Sequence, residues 1–258
     1  MRLMKRILSA AAVLALSASL LVGCSSGTAS SVPVSASSAA ESTVSSVEET
    51  ASSAVDENEA AAAQLLNDLT GSYQELWPVI LADEYKQTWL DDCTALVGED
   101  NAEAAFEKLS SMVTGDVYGE DAVKAYANGG GAYFCGFTNS LAILTFDGET
   151  STISGTDKDG NVLFSHTYHY IGMEPVRGLY EFQSDDADSG EFTYFFLAPD
   201  TSAETYHIEF RYGSDAEALS QYDAGEYAYW LASGISTDCD QTIIDNCIEL
   251  FCTENLAG

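Results

Sequence analysis

The chain has 258 residues, of which 41 are acidic and nine are Lys or Arg, so its formal net charge is −32. A charge this negative excludes a nucleic-acid-binding protein and argues against docking on anionic lipid headgroups. It is compatible with the attraction of cations, although an acidic surface also serves solubility alone.

Residues 1–23 have the pattern of a bacterial lipoprotein signal peptide. Arg2, Lys5 and Arg6 begin the chain, a short apolar run follows, and Gly23 precedes Cys24. Cleavage before Cys24 would leave a thiol that carries a diacylglycerol, and acyl chains there would anchor the protein to a membrane. The apolar run is too short for a good membrane span. We therefore expect a lipid-anchored protein on the extracytoplasmic face of the cell membrane, with a net charge of −35 after the three basic residues are removed.

Residues 24–57 predict a flexible tether, because they are mostly Ser, Ala, Thr, Val and Glu and include no aromatic residue. Such a segment cannot bury enough apolar surface to offset its ordering entropy. Residues 58–258, about 200 in number, suit one domain with a substantial core.

The front of this domain reads as helical. Apolar residues recur at helical spacing from Glu59 to Leu76, with Gly71 and Pro78 as breaks, and a second amphipathic helix spans 85–97. Asp100 and Glu103 form a capping-box pattern that opens a third helix.

The period changes to two beyond Gly131, which predicts strands. They cover residues 132–137, 141–146, 150–156, 162–171, 179–183, 191–197 and 204–212. Asp147-Gly148 and Asp159-Gly160 are hairpin signals, and the acidic runs 157–160 and 185–190 read as turns rather than calcium loops.

A helix followed by an aromatic loop is predicted over 215–231, and a closing amphipathic helix over 240–254. Antiparallel strands joined by short turns, with helices at both ends, favour a mainly β fold built as a small closed barrel with flanking helices. The absence of βαβ alternation and of a Gly-rich phosphate loop disfavours a nucleotide-binding fold. No nucleophile elbow or paired acid motif indicates an enzyme, so we expect a non-catalytic protein.

Five cysteines remain once Cys24 is assigned to lipidation: Cys93, Cys135, Cys239, Cys247 and Cys252. An oxidising compartment permits disulfides, but an odd number leaves at least one thiol, and the spacing assigns no pair. No CxxC or Cys/His spacing supports a thiolate metal site.

The strand over 204–212 has one apolar and one polar face, and the polar face carries Thr205, His207, Glu209 and Arg211. In a small barrel a polar inward face is one way to build a pocket, but the sequence leaves open which face points inward. His166 and His169 are three residues apart on another strand, so they point to opposite faces and do not share a site.

The block from Leu179 to Gly213 resembles the ZinT (YodA) family of bacterial periplasmic metal-binding proteins. The resemblance is carried by the run 178–194, by Ala203-Glu204-Thr205-Tyr206-His207-Ile208-Glu209-Phe210, and by Leu69-Thr70-Gly71-Ser72-Tyr73-Gln74 near the start of the domain. It implies a calycin-like barrel, related in shape to lipocalins, that binds zinc or cadmium through three histidines. Two of these lie at alternate positions of the strand and one on the preceding loop.

In this chain the resemblance retains one of those histidines as His207. Thr205 stands at the other strand position, and the loop position falls near Asp200. The predicted metal ligands are therefore His207, Asp200 and Glu209, with Glu181 as a further donor. A hydroxyl is a poor zinc ligand, and a carboxylate-rich set would favour calcium or manganese.

Three outcomes stay open at this point. The site binds zinc or another divalent cation with altered affinity, as part of metal capture or buffering that hands the ion to a metal ABC importer. Alternatively, the fold has lost its metal, or the barrel binds a small organic ligand or a protein partner through the aromatic loop at Tyr227–Trp230.

Overall fold

Eight antiparallel strands form a closed barrel in which each strand pairs with the next and the last pairs with the first. The structure is a computed structural model that describes residues 57–126, 132–199 and 207–256. The strands are β1 (Gly71–Glu75), β2 (Ile143–Asp147), β3 (Thr152–Thr156), β4 (Val162–Met173), β5 (Tyr180–Ser184), β6 (Tyr194–Leu197), β7 (His207–Gly213) and β8 (Ala232–Ser236). The prediction of a mainly β, calycin-like antiparallel barrel is confirmed.

Helices lie on both sides of the barrel strands in the sequence. They are α1 (57–68), α2 (Leu76–Ile80), α3 (Lys86–Val97), α4 (Glu99–Ser111), α5 (Glu120–Tyr126), α6 (Ala216–Leu219) and α7 (Gln241–Leu256). In the part of the chain that the structure describes, no helix has the length and apolarity needed to cross a bilayer. Cys24 and the predicted signal peptide lie outside the described residues, as does the tether up to residue 56.

The barrel interior is filled by aromatic rings. Phe164 and Tyr168 of β4 contact the ring of Phe195 in β6, with centroids 5.8 and 5.4 Å apart, although β5 lies between these two strands. Rings from strands that are not neighbours meet only across the inside of the barrel. Phe195 also stacks on Tyr212 of β7 at 5.3 Å. The interior is therefore a packed core of the kind found in small barrels.

A second apolar cluster joins α2, α3, α4 and α7 to the outer face of the barrel. Ile235 of β8 belongs to this cluster and not to the interior one. The rings of Trp77 and Phe251 meet at 4.7 Å, and Trp89 Nε1 donates a hydrogen bond to the Ile80 carbonyl at 2.7 Å. The helices therefore cover the β8 side of the barrel wall.

The helix predicted from Glu59, with a break at Gly71, ends at residue 68, and the helical spacing that continues to Leu76 does not correspond to a helix between Gly71 and Glu75. The stretch after α1 turns at Gly71, whose φ is +147°, and continues as β1, which pairs with both β2 and β8. This pairing closes the barrel, so backbone hydrogen bonds to distant strands override the local helical spacing. Pro78 does not break a helix, because it lies in the first turn of α2, where its missing N–H costs no hydrogen bond.

Three further details differ from the sequence predictions. Residues 132–137 form no strand and make only isolated bridges at Phe134. The predicted capping box is wrong, because α4 begins at Glu99 after Gly98 and no side chain caps it. The helix predicted after residue 215 is the single turn α6, where Asp215 Oδ1 accepts from the N–H groups of Glu217 and Ala218.

The acidic run 157–160 is a turn, as predicted. The Asp157 carboxylate accepts hydrogen bonds from the backbone of Asp159 and from both the backbone and the side chain of Asn161. These bonds, with the Asn161 side chain first, lower the pKa of Asp157. The Asp157 carboxylate oxygens stabilise the turn by these hydrogen bonds, which agrees with a turn and not a calcium loop.

Candidate metal-binding site

β7 separates its side chains into an inner and an outer set. Ile208, Phe210 and Tyr212 belong to the interior cluster, and Phe210 and Tyr212 are fully buried there. His207 and Glu209 alternate with them and therefore point to the outer side of the barrel wall. The pairing agrees, since His207 lies opposite Ile235, the residue that packs among the helices. His207 is thus part of the barrel wall but does not face the interior.

Glu209 lies opposite Ser233 of β8, beside the segment that carries Cys135. The Ser233 N–H donates to the Cys135 carbonyl at 3.0 Å, which holds this segment against β8. Burial, followed by the negative charge of Glu209, raises the pKa of the Cys135 thiol to about 12. Cys135 is therefore a buried thiol next to the candidate carboxylate, and it is protonated at neutral pH in the metal-free protein.

The predicted ligands are only partly described. His207 and Glu209 share the outer face of β7 and are both partly buried, whereas Asp200 and Thr205 lie outside the described residues. Within residues 57–126, 132–199 and 207–256, no group of three or more His, Cys, Asp or Glu side chains is arranged to hold a metal ion. The described part of the site therefore contributes two donors.

Glu181 does not join these two donors. It occupies β5, opposite Phe196 of β6, and β6 in turn separates it from β7. Its pKa is raised first by burial and then by the negative charge of Glu174. Glu174 itself accepts the backbone N–H groups of Val176 and Arg177 at 2.7 Å. The charge that acts on Glu181 is therefore that of Glu174 next to the β4–β5 turn, and it is repulsive.

Arg211, the next outward residue of β7, has a structural role. Its side chain is fully buried, and its two terminal nitrogens donate to the carbonyls of Leu219, Gln221 and Tyr227. The guanidinium also lies 4.4 Å from the centroid of the Tyr222 ring, a cation–π contact. Burial lowers the pKa of Arg211 to about 10. Arg211 thus holds the loop after α6 against the barrel wall.

Each of the two β4 histidines is paired with an aspartate of the acidic turn after β5. His166 Nδ1 lies 2.6 Å from Asp186 Oδ2, and His169 Nδ1 lies 2.6 Å from Asp185 Oδ1. His166 pairs with Ile153, which belongs to the interior cluster, whereas His169 pairs with Gln183, the neighbour of the interior residue Phe182. The two histidines therefore point to different faces of β4, as predicted. A His/Asp spacing of 16 and 20 residues carries no recognisable motif, so only the hairpin geometry reveals these pairs.

Most of the aromatic loop at Tyr227–Trp230 packs into the domain. Trp230 is fully buried, and its Nε1 donates to the Gly136 carbonyl at 2.9 Å. Tyr227 is also buried, and its ring packs 5.9 Å from that of Trp230. Tyr227 and Trp230 are therefore part of the core, whereas Tyr229 between them is partly exposed.

No protein-family model and no curated protein sequence matches the chain. Among solved structures, it is similar to the Zn(II)-bound ZinT-like domain of Streptococcus pneumoniae AdcA, with a TM-score of 0.45 and 15% identity over 71% of this chain and 89% of that one. It is also similar to Zn(II)-bound AdcA from the same organism, with a TM-score of 0.42 and 14% identity over 72% of this chain and 35% of that one. The chain therefore spans about a third of that longer protein. The first of these structures is a ZinT-like domain, the family that the residues of this chain resemble, while the assignment of a site in this chain rests on its own residues.

Proposed function

We propose that this protein captures a divalent metal ion outside the cytoplasm at the start of β7. The observation that carries the proposal is that His207 and Glu209 lie on one face of the strand, partly buried and two residues apart. Side chains at alternate strand positions lie on the same side, which is a geometry from which two ligands can reach one ion.

The donors suit zinc in type and need at least one further ligand. An imidazole nitrogen and a carboxylate oxygen both bind zinc, which takes four ligands in structural sites and three protein ligands in open ones. Asp200 is the proposed third donor, on the sequence resemblance that places it at the loop position. A set of one imidazole and two carboxylates also admits harder ions such as manganese. Because a captured ion must be released, an incomplete shell suits buffering or transfer better than permanent storage.

The proposed location rests on the sequence. The signal-peptide pattern in residues 1–23 supports lipidation at Cys24, and the Ser/Ala-rich segment up to residue 57 supports a tether that keeps the domain near the membrane. In that position the domain would hold its ion close to a metal ABC importer, its proposed recipient.

The rival proposal, a barrel that binds a small organic molecule inside, is disfavoured by the packing. Phe164, Phe195 and Tyr212 meet in the interior with the other inward rings, and a lipocalin-like ligand would need that space. The remaining alternative is a barrel without metal.

Calorimetric titration of the purified protein with zinc, cadmium, manganese and calcium distinguishes a metal-binding protein from a barrel without metal. We expect zinc to bind, and His207→Ala to weaken that binding about 100-fold or more, since loss of residues that merely orient a ligand already costs about 10–100-fold. His169→Ala is the matched control, because it removes a histidine from another strand. If none of the four ions binds more tightly than millimolar, the protein does not capture metal; binding that survives His207→Ala would move the site elsewhere.

A gain-of-function variant tests the same geometry. The resemblance places a histidine where this chain has Thr205, so Thr205→His supplies the missing imidazole. We expect zinc to bind at least tenfold more tightly to Thr205→His, and no gain when His207→Ala is added to it. Equal gains with and without His207 would show that the new imidazole acts at a different place.

A further inference from the structure

The thiols of Cys93 and Cys252 lie against each other between two helices from opposite ends of the domain. Their Sγ atoms are 3.9 Å apart, and the two residues are separated by 159 positions in the chain. Cys93 lies in α3 and Cys252 in the closing helix α7, and both are fully buried. The same two helices also meet through the rings of Trp89 and Phe251, whose centroids are 5.9 Å apart.

We propose that Cys93 and Cys252 form a disulfide in the mature protein, which joins α3 to α7. A disulfide bond is about 2.05 Å long, so the sulfurs must approach by about 1.9 Å from their 3.9 Å contact. This approach requires a change in χ1 or a small shift of α7. The neighbouring ring contact already fixes the two helices side by side at this level.

The bond forms by thiol–disulfide exchange with a small disulfide oxidant such as oxidised glutathione. One protein thiolate attacks the oxidant and releases one glutathione thiol; the second protein thiolate then attacks the mixed disulfide and releases the other. Two protein S–H bonds are lost and one S–S bond forms, while the electrons and the two hydrogens end on two reduced glutathiones.

Burial decides when this reaction takes place. In the folded domain burial raises the pKa of both thiols, and the neighbouring Cys93 raises that of Cys252 further. Folded protein therefore has little of the thiolate that exchange requires. The bond must form while α7 is still undocked, and once α7 packs the same burial protects the bond from reductants.

The inference rests on the proposed extracytoplasmic location, because disulfides persist in oxidising compartments. It does not depend on metal binding, since neither cysteine belongs to the proposed ligand set. Cys135 provides a matched control, because it is a buried thiol next to β8 whose Sγ lies 3.8 Å from the Tyr133 carbonyl.

The test compares the fully reduced protein with protein refolded in oxidised glutathione. Free thiols are alkylated after unfolding, and the digested protein is searched by mass spectrometry for a peptide that links Cys93 to Cys252. We expect this peptide only in the oxidised sample, together with a Tm about 5–10 °C higher, because the bond closes a long loop. Protein isolated from its own membrane should contain the same linked peptide.

Cys93→Ala and Cys252→Ala should each abolish the linked peptide and the rise in Tm, and Cys135→Ala should keep both. Absence of the linked peptide from refolded wild-type protein, or equal Tm values for its oxidised and reduced forms, would overturn the proposal without recourse to any variant. If the linked peptide forms on refolding but Cys93 and Cys252 are alkylated in protein isolated from its membrane, the disulfide does not form in the cell and the proposal is overturned. Zinc titration of the oxidised and reduced forms reports separately on the metal proposal.

Discussion

The two faces of β7 show how one strand divides its residues between folding and function. On the inner face, Phe210 and Tyr212 contact rings from β6 and from the segment before β2. On the outer face, His207 and Glu209 are partly buried, whereas Arg211 is fully buried. The outer face is therefore not uniform, since Arg211 is covered by the loop after α6, whereas His207 and Glu209 keep some exposure.

This difference shows that orientation alone does not decide a role. Arg211 points away from the interior yet is as buried as Phe210, because a covering segment supplies carbonyl partners for its guanidinium. His207 and Glu209 lie at the end of the strand that this segment does not fully cover. Variants along β7 should therefore fall into three classes: interior packing, loop anchoring and ligand binding.

The largest effect on stability is expected from Phe210→Ala. Phe210 contacts Phe137, Phe195 and Tyr212, so truncation removes buried apolar surface and leaves a cavity in the barrel. We expect the free energy of unfolding to fall by about 3–5 kcal/mol, measured by urea denaturation. A fall below about 1 kcal/mol would show that the interior is not a packed core.

Arg211→Met should have the next largest effect, although the residue lies on the outer face. The variant leaves the carbonyls of Leu219, Gln221 and Tyr227 without the donor they share. We expect the free energy of unfolding to fall by about 2–3 kcal/mol. The loss should be smaller than for Phe210→Ala, because burial of the guanidinium carries a desolvation cost that methionine avoids.

Arg211→Lys tests the geometry of the same contact. Lysine keeps the charge but lacks the planar fork that reaches several carbonyls at once, so it should recover only part of the lost stability. A methionine variant as stable as the wild type would instead show that the desolvation cost of the guanidinium offsets its hydrogen bonds to the three carbonyls. Arg211 would then contribute no more stability than a surface residue.

Tyr212→Phe isolates a single polar contact within the inner face. The Tyr212 hydroxyl accepts from the Thr138 N–H at 2.6 Å and donates to the Thr138 carbonyl at 2.9 Å. Its removal leaves the Thr138 N–H without this acceptor, whereas the Thr138 carbonyl still accepts from the Leu141 N–H at 3.0 Å. We expect a loss of about 1–2 kcal/mol in urea denaturation, with no change in zinc affinity. A change in zinc affinity would mean that the two faces of β7 are coupled.

The barrel could be predicted from the sequence because its signals are local. Alternation over residues 162–171 and 204–212 and the Asp-Gly turns depend on neighbouring residues, and they correspond to β4, β7 and the hairpins of the structure. β1 and β8 could not be predicted in the same way. They close the barrel by pairing with each other, so their conformation depends on partners about 160 residues apart.

The candidate site could be predicted only in part, for a similar reason. The two-residue period of a strand places His207 and Glu209 on one face of β7. Whether that face points into the barrel or outward depends on which face packs against the core, and the sequence does not show this. Ile208, Phe210 and Tyr212 face the interior because large apolar side chains gain most from burial there. The pairs His166–Asp186 and His169–Asp185 depend on how β4 and β5 align, which the sequence does not specify.

The alkaline stability of the protein should depend on the thiol beside Glu209. Burial raises the pKa of Cys135 to about 12 from an ordinary value near 9. Above pH 9 the unfolded chain releases this proton while the folded protein retains it, so stability falls as the pH rises towards 12. In Cys135→Ala the slope of unfolding free energy against pH should be shallower by about 1 kcal/mol per pH unit in this window. An unchanged slope would mean that Cys135 titrates normally.

The smallest effects on stability are expected at the first two outward residues of β7. Both residues are partly exposed, so without metal we expect His207→Ala and Glu209→Gln to lower the free energy of unfolding by about 1 kcal/mol or less. With zinc present, the same two substitutions should have a clear effect on Tm. Wild-type protein should gain Tm as zinc increases, because an ion that binds only the folded state stabilises it by mass action, whereas both variants should gain much less. A loss of several kcal/mol in metal-free His207→Ala would assign His207 to the fold of the barrel wall, as for Arg211, and would remove it from the proposed ligand set.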